Sequence, residues 1–110
     1  MAFFTIFVPP GLPEPQYQKA LQWGPSAVST RRRDHQQMLH SAGFSRIEET
    51  DLTQEFLFTA RAWYDGRERY AAELRAGEGH DTFEERRRDS RLLIQAIEAG
   101  VLRRSLFVCA

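Results

Sequence analysis

Three stretches of the chain have the apolar or alternating pattern of β-strands. The run from Phe3 to Val8 consists only of apolar and β-favouring residues, which predicts a strand buried on both faces, as in parallel sheets. Pro9 ends this run, because proline donates no hydrogen bond to a sheet. Residues 102–110 are predicted to form the final strand, of which residues 106–110 are almost wholly apolar. Residues 46–52 alternate only in part and carry several charges, so this strand is expected at an edge of the sheet.

Helical periodicity fills the chain between these strands. A short helix is predicted over residues 16–23, and a second helix begins after Ser29 or Thr30, either of which can cap it. Gly43 is expected to end the second helix in the left-handed conformation, with Phe44 folding back onto its last turn. The predicted inner faces are Tyr17, Ala20 and Leu21 in the first helix and Met38, Leu39 and Ala42 in the second.

The second half of the sequence predicts two longer helices. One runs from residue 53 to about residue 76 and can bend at Gly66, because glycine weakens a helix by about 1 kcal/mol relative to alanine. The other begins at Asp81, which forms with Glu84 a capping-box-like start, and ends at Gly100. The predicted buried stripes are Phe56, Ala60, Trp63, Tyr70 and Leu74 in the first helix and Phe83, Leu93, Ile94 and Ile97 in the second.

The order strand, helix, helix, strand, helix, helix, strand predicts a small α/β domain. The simplest sheet places an apolar terminal strand at the centre and the polar middle strand at an edge. The 110 residues fit one domain by length.

Charge and cysteine content exclude several classes of function. The 15 basic and 15 acidic residues cancel, so bulk positive charge does not direct the chain to nucleic acid. Arginine clusters at residues 31–33, 86–88 and 103–104 are interpreted as solvated surface. The single cysteine, Cys109, cannot form an internal disulfide, which predicts a reducing, cytoplasmic location and a buried structural thiol. The longest uncharged stretch, residues 1–13, contains three prolines, so no membrane span is predicted.

Familiar catalytic and metal-binding patterns do not occur in the sequence. The histidines are His35, His40 and His80, none of them in an HExxH motif, and no second cysteine offers a zinc ligand. No glycine-rich dinucleotide loop, phosphate-binding loop or GxSxG elbow is found either. Tyr17 and Trp23 follow an irregular segment and are candidates for lining an aromatic pocket.

Five stretches occur in an order that is typical of one enzyme family. They are AFFTI at residues 2–6, HQQMLHSAGF at 35–44, IEETDLT at 47–53, FTARAW at 58–63 and GVLRRSLFV at 100–108. Their order resembles the C-terminal half of class I S-adenosylmethionine-dependent methyltransferases over nearly the whole chain. The resemblance implies the corresponding half of a Rossmann-like fold. Its three-stranded mixed sheet has the order first-last-middle, with the last strand inserted antiparallel between the other two.

The cofactor-binding pattern of that family does not occur in these residues. Family members hold S-adenosylmethionine with a glycine-rich loop after the first strand and an acidic residue after the second. The resemblance therefore implies a single partial domain, residues 1–110, from a truncated or split methyltransferase that is inactive and binds no cofactor alone. No catalytic, cofactor-binding or metal-binding residue carries over. In the family, loops after the fifth strand and helices before the seventh shape the acceptor pocket, and the corresponding candidates are Pro9, Tyr17, Trp23 and Trp63.

The first strand is expected to have an unpaired backbone edge, through which the chain could bind a partner. In the family this strand pairs with a fourth strand, which belongs to the missing N-terminal half. Without that half, the uncharged edge from Phe3 to Val8 is expected to pair with a second copy in a homodimer or to aggregate. The alternative, coverage of the edge by residues 9–23, is less favoured because the prolines there limit strand pairing. The alternative function is a free-standing, non-enzymatic module that binds a partner by strand addition or a small molecule through Tyr17 and Trp23.

Overall fold

A computed structural model describes residues 1–24 and 34–110. Within them the chain alternates between strands and helices much as its sequence predicts. The elements are β1 Ala2–Phe7, α1 Glu14–Trp23, α2 His35–Ser41, β2 Ile47–Asp51, α3 Thr53–Arg69, α4 Ala71–Glu78, α5 His80–Glu98 and β3 Arg103–Cys109.

The three strands form one open sheet in the order β1-β3-β2, which confirms the predicted order. β3 is antiparallel to both neighbours, with Phe3 opposite Phe107 and Ile47 opposite Cys109. The prediction of a mixed sheet was wrong, because β1 and β2 point the same way but do not pair, so both ladders are antiparallel. The polar strand β2 lies at an edge, as predicted, and central β3 buries alternate residues, including Ser105.

β1 is not buried on both faces, although its apolar sequence predicts this. Phe7 at its end is only 5% exposed, whereas Phe4 is 58% exposed. The physical reason is its edge position, where the sheet face around Phe4 is open to solvent. The Arg104 guanidinium on β3 lies 5.0 Å from the centre of the Phe4 ring and covers part of it.

Helices pack on both faces of the sheet. On one face, the α2 residue His35 lies against the rings of Phe7 and Phe107, at 4.9 and 5.3 Å between ring centres. On the other face, α1, α3 and α5 pack near the end of β1 and the start of β3. The buried core on that side consists of Val8, Ala20, Phe56, Ala60, Ala96, Ile97, Val101 and Leu102. In α1, Leu21 is 39% exposed, so only part of its predicted inner face is buried.

Two helices end at a glycine, as predicted. Gly43 has a φ of +103° and Gly100 a φ of +76°, a region that glycine enters without the steric cost of a Cβ. After α2 the Phe44 N–H donates to the Leu39 carbonyl at 3.1 Å. This six-to-one bond closes the last turn as in a Schellman motif.

The long helix predicted over residues 53–76 is two helices in the structure. The break between α3 and α4 lies at Tyr70, with φ −107° and ψ 28°, and not at Gly66, which stays inside α3. The predicted stripe was wrong for Trp63 and Tyr70, which are 71% and 56% exposed. The reason is that α5 meets this half of α3 through polar side chains, such as Glu68, which pairs with Arg87 of α5.

The starts of α5 and α2 differ from the prediction or extend it. The N-cap of α5 is Gly79, two residues before the predicted cap Asp81, and it provides no side-chain cap. Asp81 therefore lies inside the first turn and forms no capping box. At α2 the described cap is Asp34, whose carboxylate accepts a 2.8 Å hydrogen bond from the Gln36 N–H. The predicted caps Ser29 and Thr30 lie outside the described residues.

Within the part of the chain that the structure describes, no helix combines the length and apolar character needed to cross a bilayer. Cys109 is buried in β3 at 2% exposure, in agreement with the prediction of a structural thiol.

Candidate functional site

The two tryptophans among the four candidate pocket residues lie at different cavities. Trp63 lies on α3 and lines one cavity, and Trp23 at the end of α1 lines a different one. Pro9 and Tyr17 line neither of these cavities. Tyr17 and Trp23 both pack against the buried core, and an aromatic pocket shared by these two residues stays a prediction. Trp63 marks the larger of the two cavities.

That larger cavity is an open groove along α3 and the start of α4, which we call the α3–α4 groove. Its volume is about 550 Å³, within the range of small-molecule sites in proteins. Its lining is almost entirely apolar, and it contains Phe58, Thr59, Ala62, Trp63, Gly66, Arg67, Tyr70 and Leu74.

The groove arises from the spacing of its residues and from the break at Tyr70. Phe58, Ala62 and Gly66 follow one another at intervals of four on α3, so they share one face. Gly66 leaves the groove open, because a Cβ added there would have no atom within 4 Å. The break turns the chain after Tyr70, and Leu74 on α4 then borders the same space.

Arg67 is the charged residue of the groove, and its charge is already matched. Its guanidinium contacts the Glu78 carboxylate at the end of α4 at 2.5 Å. The second oxygen of Glu78 lies 2.5 Å from Arg86. Arg67 also lies over the Phe83 ring, 5.4 Å from its centre. The groove therefore presents an electrically balanced wall.

An ion-pair cluster behind this wall holds α3, α4 and α5 together. Arg87 of α5 donates two hydrogen bonds to the Glu68 carboxylate of α3, at 2.6 and 2.7 Å. Arg75 of α4 reaches Glu84 of α5 at 3.0 Å. These bonds lower the pKa of both carboxyl groups and raise the pKa of Arg87. Phe83, 1% exposed, lies among the three guanidinium groups of Arg67, Arg75 and Arg87.

Trp23 borders a cavity of about 420 Å³ between α1 and α5. Its lining is mixed and includes Asp89, Ser90 and Leu93. Gly24, the last residue described before the gap, lies at its rim. A polar lining of this kind gives an apolar ligand fewer favourable contacts than the α3–α4 groove.

A third group of polar residues lies on the α2 face of the sheet, and the sequence did not single it out. The buried Ser105 hydroxyl donates to the Glu49 carboxylate at 2.8 Å, and Gln36 donates to the other Glu49 oxygen at 3.2 Å. Beside them, Arg103 contacts Asp51 at 2.5 Å. The pKa of Asp51 is lowered, chiefly by a hydrogen bond with the Thr53 side chain.

This polar group borders a cavity of only about 140 Å³, which His35 also lines. The volume is below the usual range of small-molecule sites. Among residues 1–24 and 34–110, no three histidine, cysteine or acidic side chains are grouped to hold a metal ion. We therefore interpret the polar group around Ser105 and Glu49 as contacts that stabilise the sheet. The α3–α4 groove is the better candidate site.

The groove residues were only partly foreseen. The sequence indicates Trp63 as a pocket candidate, and it indicates Gly66 only as a weak point of the helix. Phe58, 75% exposed, was missed, although an aromatic residue off the main apolar stripe of a helix is the signal that could have found it.

Comparison of the chain with models of known protein families gave no match, and comparison with curated proteins gave none either.

Proposed function

We propose that this chain is the acceptor-binding portion of a class I S-adenosylmethionine-dependent methyltransferase and is inactive without a cofactor-binding half. The order β1-β3-β2, with β3 antiparallel to both neighbours, carries the proposal. The sequence resemblance implies this order and direction for the last three strands of that fold. The α3–α4 groove, at the candidate residue Trp63, gives this portion a place for the methyl acceptor.

The outer edge of β1 has backbone groups that could pair with a further strand, and this supports the proposal. The Met1 amino group donates to the Cys109 carbonyl, and the Cys109 N–H donates to the Met1 carbonyl, both at 2.8 Å. Antiparallel partners alternate between bonded and non-bonded pairs. Backbone groups of Phe3 and Thr5 therefore face β3, and those of Phe4 and Ile6 point away from the sheet. This edge is where a strand of the cofactor-binding half would pair.

The residues present do not fit S-adenosylmethionine. The sequence has no glycine-rich loop between a strand and a helix, the feature that lets a backbone approach such a ligand closely. In the proposal, the other half binds the cofactor and supplies the methyl group. The present residues bind and orient the acceptor, and correct positioning of reacting atoms accounts for much of such a rate.

The test reads the coding DNA on the 5′ side of the Met1 codon and then measures cofactor binding. A glycine-rich strand-loop-helix is expected there, in frame or frameshifted. By isothermal titration, the joined polypeptide is expected to bind S-adenosylmethionine, and the 110-residue chain to give no heat of binding. A low-micromolar dissociation constant for the 110-residue chain alone would overturn the assignment of the cofactor to another half. So would the absence of such a segment from the DNA.

The same edge supports a second candidate function, self-association as a non-enzymatic module. Residues 1–8 carry no charged side chain, and Met1 and Phe4 are 64% and 58% exposed. Charged side chains are a common protection of edge strands against pairing with other chains. Two copies joined through β1 would form a two-fold symmetric homodimer with one continuous sheet. Light scattering over a concentration series distinguishes this candidate from a monomer that waits for a different partner.

A further inference from the structure

We propose that the α3–α4 groove binds a planar, uncharged, multi-ring aromatic molecule that carries a hydroxyl or carbonyl group. The inference rests on the proposed function only where this molecule is taken to be the methyl acceptor. The binding itself follows from the size, lining and charge of the groove.

The size of the groove favours a small molecule over a macromolecule. About 550 Å³ lined by eight residues suits a single ligand of moderate size. A stable protein interface uses roughly 20–30 residues on each side. A docked helix, about 10 Å wide, needs anchor positions repeated along several turns. The groove runs from Phe58 to Leu74, and the chain turns at Tyr70 between them, so its lining residues do not continue in one straight row along a single helix.

The lining favours flat rings over a flexible acyl chain. Phe58, Trp63 and Tyr70 expose 75%, 71% and 56% of their surface around the groove. Aromatic side chains gain about 0.5–1.5 kcal/mol beyond simple burial when another ring stacks on them or meets their edge. Gly66 has no side chain, so a flat molecule can lie directly against the helix backbone.

The charges around the groove select an uncharged ligand. An anionic group would have to displace Glu78, which contacts both Arg67 and Arg86 at 2.5 Å. A cation would face the Arg67 guanidinium. The hydroxyl groups of Thr59 and Tyr70 are the uncharged polar groups of the lining, and they can exchange hydrogen bonds with one hydroxyl or carbonyl of the ligand.

The test measures binding of 1-pyrenemethanol, an uncharged four-ring alcohol, by its fluorescence anisotropy, with no cofactor present. Wild type is expected to bind it saturably. Gly66→Leu fills the groove and is expected to weaken binding by at least about tenfold. The same change should leave the fold intact, because an added Cβ at Gly66 meets no atom within 4 Å and leucine favours helices. Ser90→Leu, which adds the same side chain at the Trp23 cavity, is the matched control and should not change binding.

A second variant keeps the test decisive if Gly66→Leu does not fold. Trp63→Ala removes a ring that is 71% exposed, so the fold should survive and binding should weaken to a similar extent. Displacement of the probe by 1-dodecanol at equal concentration would overturn the assignment to flat rings. Lack of wild-type binding, or equal weakening by Ser90→Leu, would overturn the site itself. A change of oligomeric state in Gly66→Leu without loss of probe binding would assign the groove to a second copy. None of these outcomes depends on cofactor binding, so they are separate from the test of methyl transfer.

Discussion

Proline substitutions at two neighbouring positions of β1 are predicted to have different effects, because neighbouring residues of a strand point their N–H groups in opposite directions. The Thr5 N–H faces Ser105 on β3, and the Phe4 N–H faces solvent, as the mutual bonds of Met1 and Cys109 require. Proline has no N–H. Phe4→Pro therefore removes a donor from the free edge alone, and Thr5→Pro removes one from the ladder inside the sheet.

The two substitutions should differ clearly in their effect on the free energy of unfolding. Thr5→Pro removes the donor of one ladder hydrogen bond and leaves the carbonyl of Ser105 unsatisfied, at a cost of about 1–3 kcal/mol. Ser105 is fully buried, so water cannot replace that donor. Phe4→Pro loses the contact between its ring and Arg104, about 0.5–1 kcal/mol at an exposed site.

Phe4→Ala is the matched control, because it removes the same ring but keeps the N–H group. In light scattering over a concentration series, wild type is expected to dimerise and Phe4→Ala to dimerise more weakly. Phe4→Pro is expected to stay monomeric. In denaturant unfolding at a concentration where all variants are monomeric, Thr5→Pro should be the least stable by about 1 kcal/mol or more.

Two results would refute this prediction. If Phe4→Pro associates as strongly as Phe4→Ala, the edge of β1 is not the contact between copies. If Thr5→Pro is no less stable than Phe4→Pro, the assignment of inward and outward backbone groups along β1 is wrong. A wild-type chain that remains monomeric at high concentration would rule out the homodimer and leave the edge for a strand of another half.

Two further predictions concern stability. Gly43→Ala should destabilise the chain by about 1 kcal/mol, because its φ of +103° is costly for a residue with a Cβ. Gly66→Ala, inside α3, should stabilise the chain by about as much, because alanine favours helices more than glycine does. Equal denaturation midpoints for the two variants would contradict this prediction. The pKa of Asp51 is lowered in the folded chain by its hydrogen bonds with Thr53 and by Arg103, so its contribution to stability is present above the unfolded pKa of about 4 and is lost as the pH falls through the folded value. Asp51→Asn should therefore flatten the acid side of the stability profile, and an unchanged profile in an acid titration followed by circular dichroism would contradict the assignment.

Polarity predicts the edge position of β2, and the family resemblance supplies the rest of the strand order. β2 contains Glu48 and Glu49, which favour an edge. β3 begins with Arg103, Arg104 and Ser105 and is less apolar than β1, so polarity alone does not make β3 the central strand. Gly43 and Gly100 likewise marked helix ends, since a local steric requirement decides them. Periodicity did not reveal that β1 is an edge strand, because an apolar run says nothing about how many neighbours the strand has.

The break at Tyr70 could not be predicted, because contacts distant in sequence accompany it. Arg67 and Glu78 are 11 residues apart, about 16 Å along a straight helix, yet their charged groups meet at 2.5 Å. That contact fits a chain that turns after α3, and no glycine or proline stands at the turn. The sequence instead offered Gly66, which tolerates a bend but has no interaction that produces one.

The exposure of Trp63 follows from the same ion pairs. A prediction from apolar periodicity assumes that the buried side of a helix is its apolar side. The second half of α3 instead meets α5 through the ion pair of Glu68 and Arg87. The Tyr64 hydroxyl also accepts a hydrogen bond from Arg91 at 2.9 Å. Polar contacts thus hold the helices together, and the aromatic residues are left to line the groove.

An isolated chain leaves these rings in water at a cost of roughly 25 cal/mol for each Å² of apolar surface. Covering them with a ligand or a second protein recovers that free energy. The Gly66→Leu variant distinguishes a ligand from a second protein. If a ring molecule binds in the groove, the leucine side chain occupies its place and weakens binding. If another protein covers the groove, the leucine side chain adds apolar surface to the contact.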